Sequence, residues 1–310
     1  MNGAGSTSAY IFTAGDVFLN ARTGERMLVD AVSGANTISV LAVGRAFGST
    51  AAAAGADGDG LFLIGNASEE NSGARNVNTT RSAKVTNYTQ IFKTSIALSG
   101  TEEKANLYGG PDLPYQRAKK GTEHMLDIER AFIWGEKKYD TNGVQGHPRR
   151  TTGGVLEFIL QGQAYVQNQG GAITAPDFGV FLREGFTYGS NQKVLMCGGI
   201  VLNAISEIAR GQIRMRPNET SYGMQISEWV SPQGTITIVH NPLFVEEYAG
   251  MAILMDMDCF RYRFMDGRDT VLKTNVQAPD IDGLIDQYVS EVGLERKQAA
   301  KCALLLGVTA

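Results

Sequence analysis

The sequence predicts an α+β fold. Three observations carry that prediction: short apolar stretches with a period of two, broken by Gly, Ser and Asn, fill most of the chain; one stretch around residue 120 has apolar residues three to four apart; and no internal repeat or clean linker separates the two kinds of segment. Glycine supplies 37 of 310 residues, about 12% against a usual share of roughly 7%. Its clustering in GADGDG, YGG, TTGG and NQGG makes turns frequent and strands short. With 43% hydrophobic residues, the chain has apolar material for one large core or two modest ones.

From residue 15 to 65 the chain alternates DVFL, RTGE, RMLVDAV, SGAN, TISVLAV and LFLIG, which reads as a small antiparallel sheet. The Ala- and Gly-rich tract Gly48 to Gly60 has almost no side-chain bulk and is expected to be a mobile tip or long loop. KVTNYTQIFKTSIAL, 84–98, reads as one long or bent strand. The helix signal follows at 112–137: Tyr115, Ala118, Thr122, Met125, Ile128 and Phe132 recur on one stripe, with Arg117, Lys120, Glu123 and Asp127 mostly between them. Asp112 can cap its start with Pro114 in the first turn, and at 1.5 Å per residue the rod would be roughly 39 Å long. PDFGVFLREGFTYG is a second, shorter helix, QKVLMCGG a buried strand, and GIVLNAISEIARG a helix with Val201, Ile205, Ile208 and Ala209 on one face and an exit at Gly211. The remainder, from YGMQISEWV through TITIVHNPLF, GMAILMDMDCFRYRFM and DTVLKT to LIDQYVSEVGLERKQAAKCALLLGV, is β-rich.

Composition excludes several functions. A formal charge of −4 argues against tight phosphate-driven nucleic-acid binding. Cys197, Cys259 and Cys302 lie far apart in apolar runs and read as buried thiols of a reducing compartment. No apolar run nears the ~18 residues that span a bilayer, and MNGAGSTSAY lacks the pattern of an export signal, so a soluble protein with no membrane partner is expected. Catalytic and cofactor motifs are missing: no P-loop, GxSxG, HExxH or paired CxxC. His124, His147 and His240 are scattered and read as structural or surface residues. DGDG at Asp57–Gly60 lacks the downstream glutamate of a calcium loop and reads as a turn, so neither a metal nor a cofactor is expected. An enzyme is not expected.

Five segments in fixed order closely resemble tailed-bacteriophage major capsid proteins of the HK-ninety-seven-type fold: GDVFLNARTGERMLVDAVSG, LFLIGNASEE, NYTQIFKTSIALSGT, YGG with YQRAKKGTEHMLDIERAFIWGE, and PRRTTGG. GLERKQAAKCALLLGVT extends the likeness more loosely to the end of the chain. The resemblance implies a residual N-terminal arm at 1–14, an E-loop expanded into a β-rich subdomain at 15–83, and a peripheral domain at 84–150 with its long spine helix at 112–137. It further implies an axial domain at 151–245, and closing strands at 246–310 that rebuild the peripheral sheet and return to the axial domain. Only residues 1–14 precede that loop, fewer than the arm the likeness implies. No lysine occurs before Lys84, so the covalently welded variant of such shells, which needs an E-loop lysine, is not expected.

The implied function is a structural subunit that self-assembles, as pentamers and hexamers, into an icosahedral head enclosing double-stranded DNA. Implied partners are further copies of the chain, a portal, possibly scaffolding or decoration proteins, and weak non-specific contact with DNA; the implied location is the virion, after assembly in the host cytoplasm. Alternation along RMLVDAV and TISVLAV offers one face to a neighbour and marks Leu28 and Ile38 as inter-subunit contact residues. Glu69 and Glu70 form a solvated edge or a charged subunit contact. Arg117, Lys119 and Lys120 read as the wet face of the helix or as a contact with a neighbouring subunit or DNA phosphate, and Arg149 and Arg150 in the polar loop are inter-subunit contact candidates. Two alternatives are an encapsulin-like compartment of the same fold and a β-rich adhesin or binding module, which the long helix disfavours.

Overall fold

A computed structural model describes residues 12–33, 37–40, 44–75, 84–104, 112–143, 146–212 and 228–309. The chain divides into two compact units, Met1–Lys84 and Val85–Ala310.

The first unit holds β1 (Asp16–Asn20), β2 (Arg26–Leu28), β3 (Ala31–Ser33), β4 (Thr37–Ser39) and β5 (Leu61–Asn66). Strand β1 is central in an antiparallel sheet of order β2-β1-β5, with Phe18 opposite both Met27 and Leu63. Strands β3 and β4 pair separately. Among the described residues the apolar cluster of this unit is Phe12, Phe18 and Val29, flanked by Met27 and Val40, with Val17 buried besides. At about 1.5–3 kcal/mol per buried side chain, that core leaves much to polar contacts.

Glu25 and Asp59 supply them. Glu25 is fully buried and accepts Arg45 Nε and Nη2 at 2.7 and 2.8 Å and the backbone N–H groups of Ala46 and Ala53 at 3.0 and 2.9 Å. Asp59 accepts Asn20 Nδ2 at 2.8 Å, Ala56 N–H at 2.9 Å and the Arg22 guanidinium. The small-residue tract is therefore a loop tied to the sheet by two carboxylates and not a free tip. Its own side chains are too small to show this, because the anchors are Glu25 outside the tract and Asp59 at its end. The Arg45 guanidinium, then the Ala53 amide, hold the Glu25 carboxyl at about 2, against an ordinary 4.5. A carboxyl depressed on folding adds stability that is complete above its unfolded value and is lost as pH falls through the folded one. Protease cleavage within 48–60, followed by mass spectrometry, should therefore rise as pH falls from about 4.5 toward about 2, and should already be raised at neutral pH in Glu25→Gln.

The second unit runs β6 (Gln90–Ser99), α1 (Gly100–Lys104), α2 (Asp112–Trp134), β7 (Lys138–Asp140), β8 (Arg149–Thr151), α3 (Val155–Gln161), β9 (Tyr165–Gly171), α4 (Ala175–Gly185), β10 (Gln192–Cys197), α5 (Gly199–Gln212), β11 (Glu228–Ser231) and β12 (Gly234–His240). It closes with β13 (Ala252–Met255), β14 (Phe260–Phe264), β15 (Val271–Lys273), β16 (Gly283–Arg296) and β17 (Ala303–Val308). A mixed sheet of order β11-β12-β10-β13-β17-β9 has both faces covered. Phe178, Phe181 and Leu182 of α4 and Val201 and Ile205 of α5 pack on Leu195, Leu254 and Leu305. Ile133 at the end of α2, with Val155 and Ile159 of α3, packs with Ile253, Met255 and Leu304. Two-sided burial explains why AILM and ALLL are continuous apolar runs instead of alternating ones. Helix α4 starts at a capping box in which Thr174 and Asp177 bond each other's backbone, with a proline in the first turn.

A second sheet is built on the long strand β16, which pairs antiparallel with β6 along one edge and with β14 and β15 along the other. Helix α2 lies on β6 and β16.

Three helix boundaries differ from expectation: α4 stops at Gly185, before the Phe186–Gly189 end of the expected helix, and α2 and α5 differ as well. Helix α2 stops at Trp134, making it roughly 35 Å long, because the chain at 152–154 closes on Gly135: a Cβ there would sit 2.5 Å from the Thr152 carbonyl oxygen. Lys138 then joins β7, paired with Thr151 of β8. Helix α5 runs through Gly211 to Gln212, since one glycine costs a helix only about 1 kcal/mol relative to alanine. The YGMQIS part of the expected strand before Glu228, the YGG turn at 108–110 and the arm residues 1–11 lie outside the described residues.

Candidate assembly surfaces

The face α2 turns to the sheet is polar at alternate steps. Arg117, Gly121, His124 and Ile128 step along the helix while Asp286, Tyr288, Ser290 and Val292 step along β16. The first three pairings are direct. Arg117 donates to Asp286 Oδ2 at 2.7 Å, and that carboxylate is fully buried. Tyr288 OH donates to the Arg117 carbonyl at 3.0 Å across Gly121, where a Cβ would already lie 3.3 Å from that oxygen. His124, also fully buried, sits between Thr94 Oγ1 and Ser290 Oγ, each at 2.8 Å.

The stripe predicted to face the core accordingly splits. Ile128 is buried, but Tyr115 is 64% and Met125 51% exposed, and Ala118 and Thr122 are exposed too. That outward stripe leads into an apolar cavity of about 320 Å³ lined by Met125, Phe132, Met196, Met257, Phe260 and Tyr262, among others. Lys119 on the same helix is exposed, and Lys120 bonds Glu123 at 2.6 Å.

In the first unit, β5 exposes all six of its residues, including Leu61, Phe62, Leu63 and Ile64. Leu63 shares the face of Phe18, whereas Phe62 points to the other side and is 62% exposed; Ile64, 54% exposed, is the extra residue where the register shifts between Val17 and Phe18. Strand β5 bonds only β1 among the described residues, so its outer edge carries unspent backbone groups. Glu69 and Glu70, just beyond it, are exposed.

The other predicted contact residues are dispersed. Leu28 is half-buried in β2 opposite Val17, within its own sheet. Ile38 lies in β4, with its side chain outside the described residues. Arg149 pairs with Asp140 at 3.3 Å, and Arg150 is exposed in β8. Sequence reasoning missed Phe62, Ile64 and Met125 as surface groups. The unbroken run LFLI was the available signal for the first two, because a strand with one buried face alternates.

Little here suits catalysis. Cys197, Cys259 and Cys302 are buried without disulfides, and burial pushes Cys197 and Cys302 up to about 11, far from a reactive thiolate. His147 and His240 are exposed. No cluster of three metal-ligating side chains occurs among the described residues, and none of the described helices is long and apolar enough to cross a membrane.

Comparison with known proteins decides what these surfaces belong to. The profile of the SU10 major capsid protein family matches residues 6–309. The chain belongs to that family. It is also similar to the major capsid protein of Pseudomonas phage PaMx41, 28% identical over 323 residues that cover 96% of this chain and 76% of that one. Its fold is shared with the capsid of cyanophage A-1(L), at a TM-score of 0.54, 10% identity and coverage of 71% of this chain and 78% of that one. The capsid of a native GTA particle also has a TM-score of 0.54, with 13% identity and coverage of 78% and 80%. The α+β, HK-ninety-seven-type fold implied by the five segments is therefore the fold of the chain. This capsid subunit forms the homo-oligomeric head shell of a tailed phage, which sets aside both the encapsulin-like compartment and the adhesin.

Proposed function

We propose that each copy grips the next through its first unit, so that 15–83 is an arm over the neighbouring subunit, 84–150 with the returning strands of 246–310 a peripheral domain, and 151–245 an axial domain. The observation that carries this reading is β5: four consecutive large apolar side chains in the open, which water disfavours unless a neighbour covers them. The outward stripe of α2 and its Met-lined cavity offer an apolar seat on the neighbour. Glu69 and Glu70 after β5 are opposite in charge to Lys119, exposed on the same helix. Arg117 serves its own subunit through Asp286, while Arg149 and Arg150 are available to a neighbour or to DNA. Repetition of one moderate contact around rings of five and six closes the icosahedral shell around double-stranded DNA. The subunit works without catalysis, assembles in the host cytoplasm, meets a portal and scaffolding or decoration proteins, and touches DNA only weakly, as its charge of −4 requires.

The test is a double variant, Ile64→Cys with Met125→Cys, treated in assembled particles with a short bifunctional maleimide; the three native cysteines are buried and stay unmodified. A ladder of covalent multimers on a denaturing gel is expected. Monomer alone, linked within itself or not at all, would overturn the reading.

A further inference from the structure

We infer that His124 is an acid-sensitive latch between α2 and the β6–β16 pair. Its two ring nitrogens are spent on Thr94 of β6 and Ser290 of β16, both at 2.8 Å, and Ser290 Oγ passes the chain on to Thr270 Oγ1 at 2.8 Å. A neutral imidazole, one donor and one acceptor, completes this row of hydroxyls with no group left over. Rings of Phe92 and Tyr288, with centroids 6.4 and 5.9 Å away, close the sides.

An imidazolium there would be a fully buried cation lacking a carboxylate of its own. The carboxylates near it have other partners: Glu123, beside it on α2, is held by Lys120 at 2.6 Å, and Asp269, beside Thr270, accepts the Tyr262 hydroxyl at 2.7 Å. On β16, Asp286 is held by Arg117 of α2 at 2.6 Å, and Glu291 by Arg268 of the preceding loop at 2.7 Å. On α2 itself, Asp127 is exposed and bonded to Arg130 at 3.1 Å, and Lys93 of β6 is exposed. Desolvation accordingly pushes the His124 imidazole below its ordinary value of 6.5, with only a partial opposing pull from Asp127. The sign follows: the neutral form favours the docked helix, so the docking contribution is complete above 6.5 and is lost as pH falls below it. Between the free and docked values, the equilibrium for lifting α2 off the sheet should rise up to about tenfold per pH unit.

Hydrogen exchange of the full chain, corrected for intrinsic rates and compared from pH 7.5 down to 5, tests this. Peptides covering 117–134 should lose protection as pH falls, while those of α4 and β13 hold theirs. His124→Gln, neutral throughout, should show no such pH dependence. Should that variant fail to fold, Ser290→Asp decides, because a carboxylate beside the imidazolium should keep α2 protected in acid. Protection of α2 that is flat in the native chain, or that falls equally in the variants, would overturn the latch.

Discussion

Head shells should fail to form when Phe62 and Ile64 are both replaced by aspartate, while the subunit stays soluble and folded. Phe62 lies on the face of β5 turned away from Phe18, Ile64 sits at the register shift beside it, and both are more than half exposed, so their loss costs the isolated subunit little. Exposed substitutions of this kind usually stay within about 0.5 kcal/mol. In an assembled shell the same two positions would put unpaired carboxylates into an apolar contact. That forfeits about 1.5–3 kcal/mol for each buried side chain and adds a desolvation cost of several kcal/mol for each charge. Every copy repeats the loss, which turns a moderate defect into a missing shell. Electron microscopy gives the readout, with circular dichroism confirming the fold, and Phe62→Leu as a control should assemble. Normal shells from the double aspartate variant would remove β5 from the contact. Leu28→Asp is the poorer experiment, since Leu28 is half-buried opposite Val17 and its replacement would disturb the sheet that presents β5.

Replacing Glu157 with alanine should destabilise the second unit by about 3–5 kcal/mol, the usual cost of stranding one partner of a buried ion pair. Arg296 and Glu157 have side chains only 4% and 8% exposed, with Nη1 to Oε2 at 2.7 Å. The same Nη1 donates to the Gly154 carbonyl at 2.9 Å, and the guanidinium lies 5.2 Å over the Phe158 ring. Three segments meet here: the end of β16, the first turn of α3 and the glycines beside the end of α2. Arg296 Nε has no partner, so the cation is already short of acceptors before Glu157 is removed. Against a total stability of about 5–15 kcal/mol, such a loss is large. Urea unfolding followed by fluorescence of Trp134 and Trp229, the chain's two tryptophans, should show a much lower midpoint for Glu157→Ala and a smaller shift for Glu157→Gln, which keeps one acceptor. A midpoint for the alanine variant near that of the native chain would show that water reaches Arg296.

Much of this architecture was written locally. Period-two runs announced β1 to β4, the spacing of Val201, Ile205 and Ala209 announced α5, and the apolar neighbours of the three cysteines announced their burial. Helix α2 was legible as a helix, but its orientation was not. Its periodicity pointed Tyr115 and Met125 inward, whereas the sheet offers Asp286, Tyr288 and Ser290 and so takes Arg117, Gly121 and His124. A polar residue reads as solvent-facing until its partner is known, and Asp286 lies 169 positions beyond Arg117. Glu25 was invisible for the same reason: nothing near it in sequence shows that the amides of Ala46 and Ala53 fold back onto its carboxylate.

By itself, then, the order of residues determined the fold class, the kinds of element and, through five ordered segments, the capsid family. These depend on local propensity and hydrophobic period, which each stretch carries within itself. The tertiary structure alone decided which face of α2 is buried, that β5 is left open on both sides, and that His124 and Arg296 are sealed inside. Those outcomes depend on where distant donors and acceptors come to rest, and a buried polar group is tolerated only where such partners meet it.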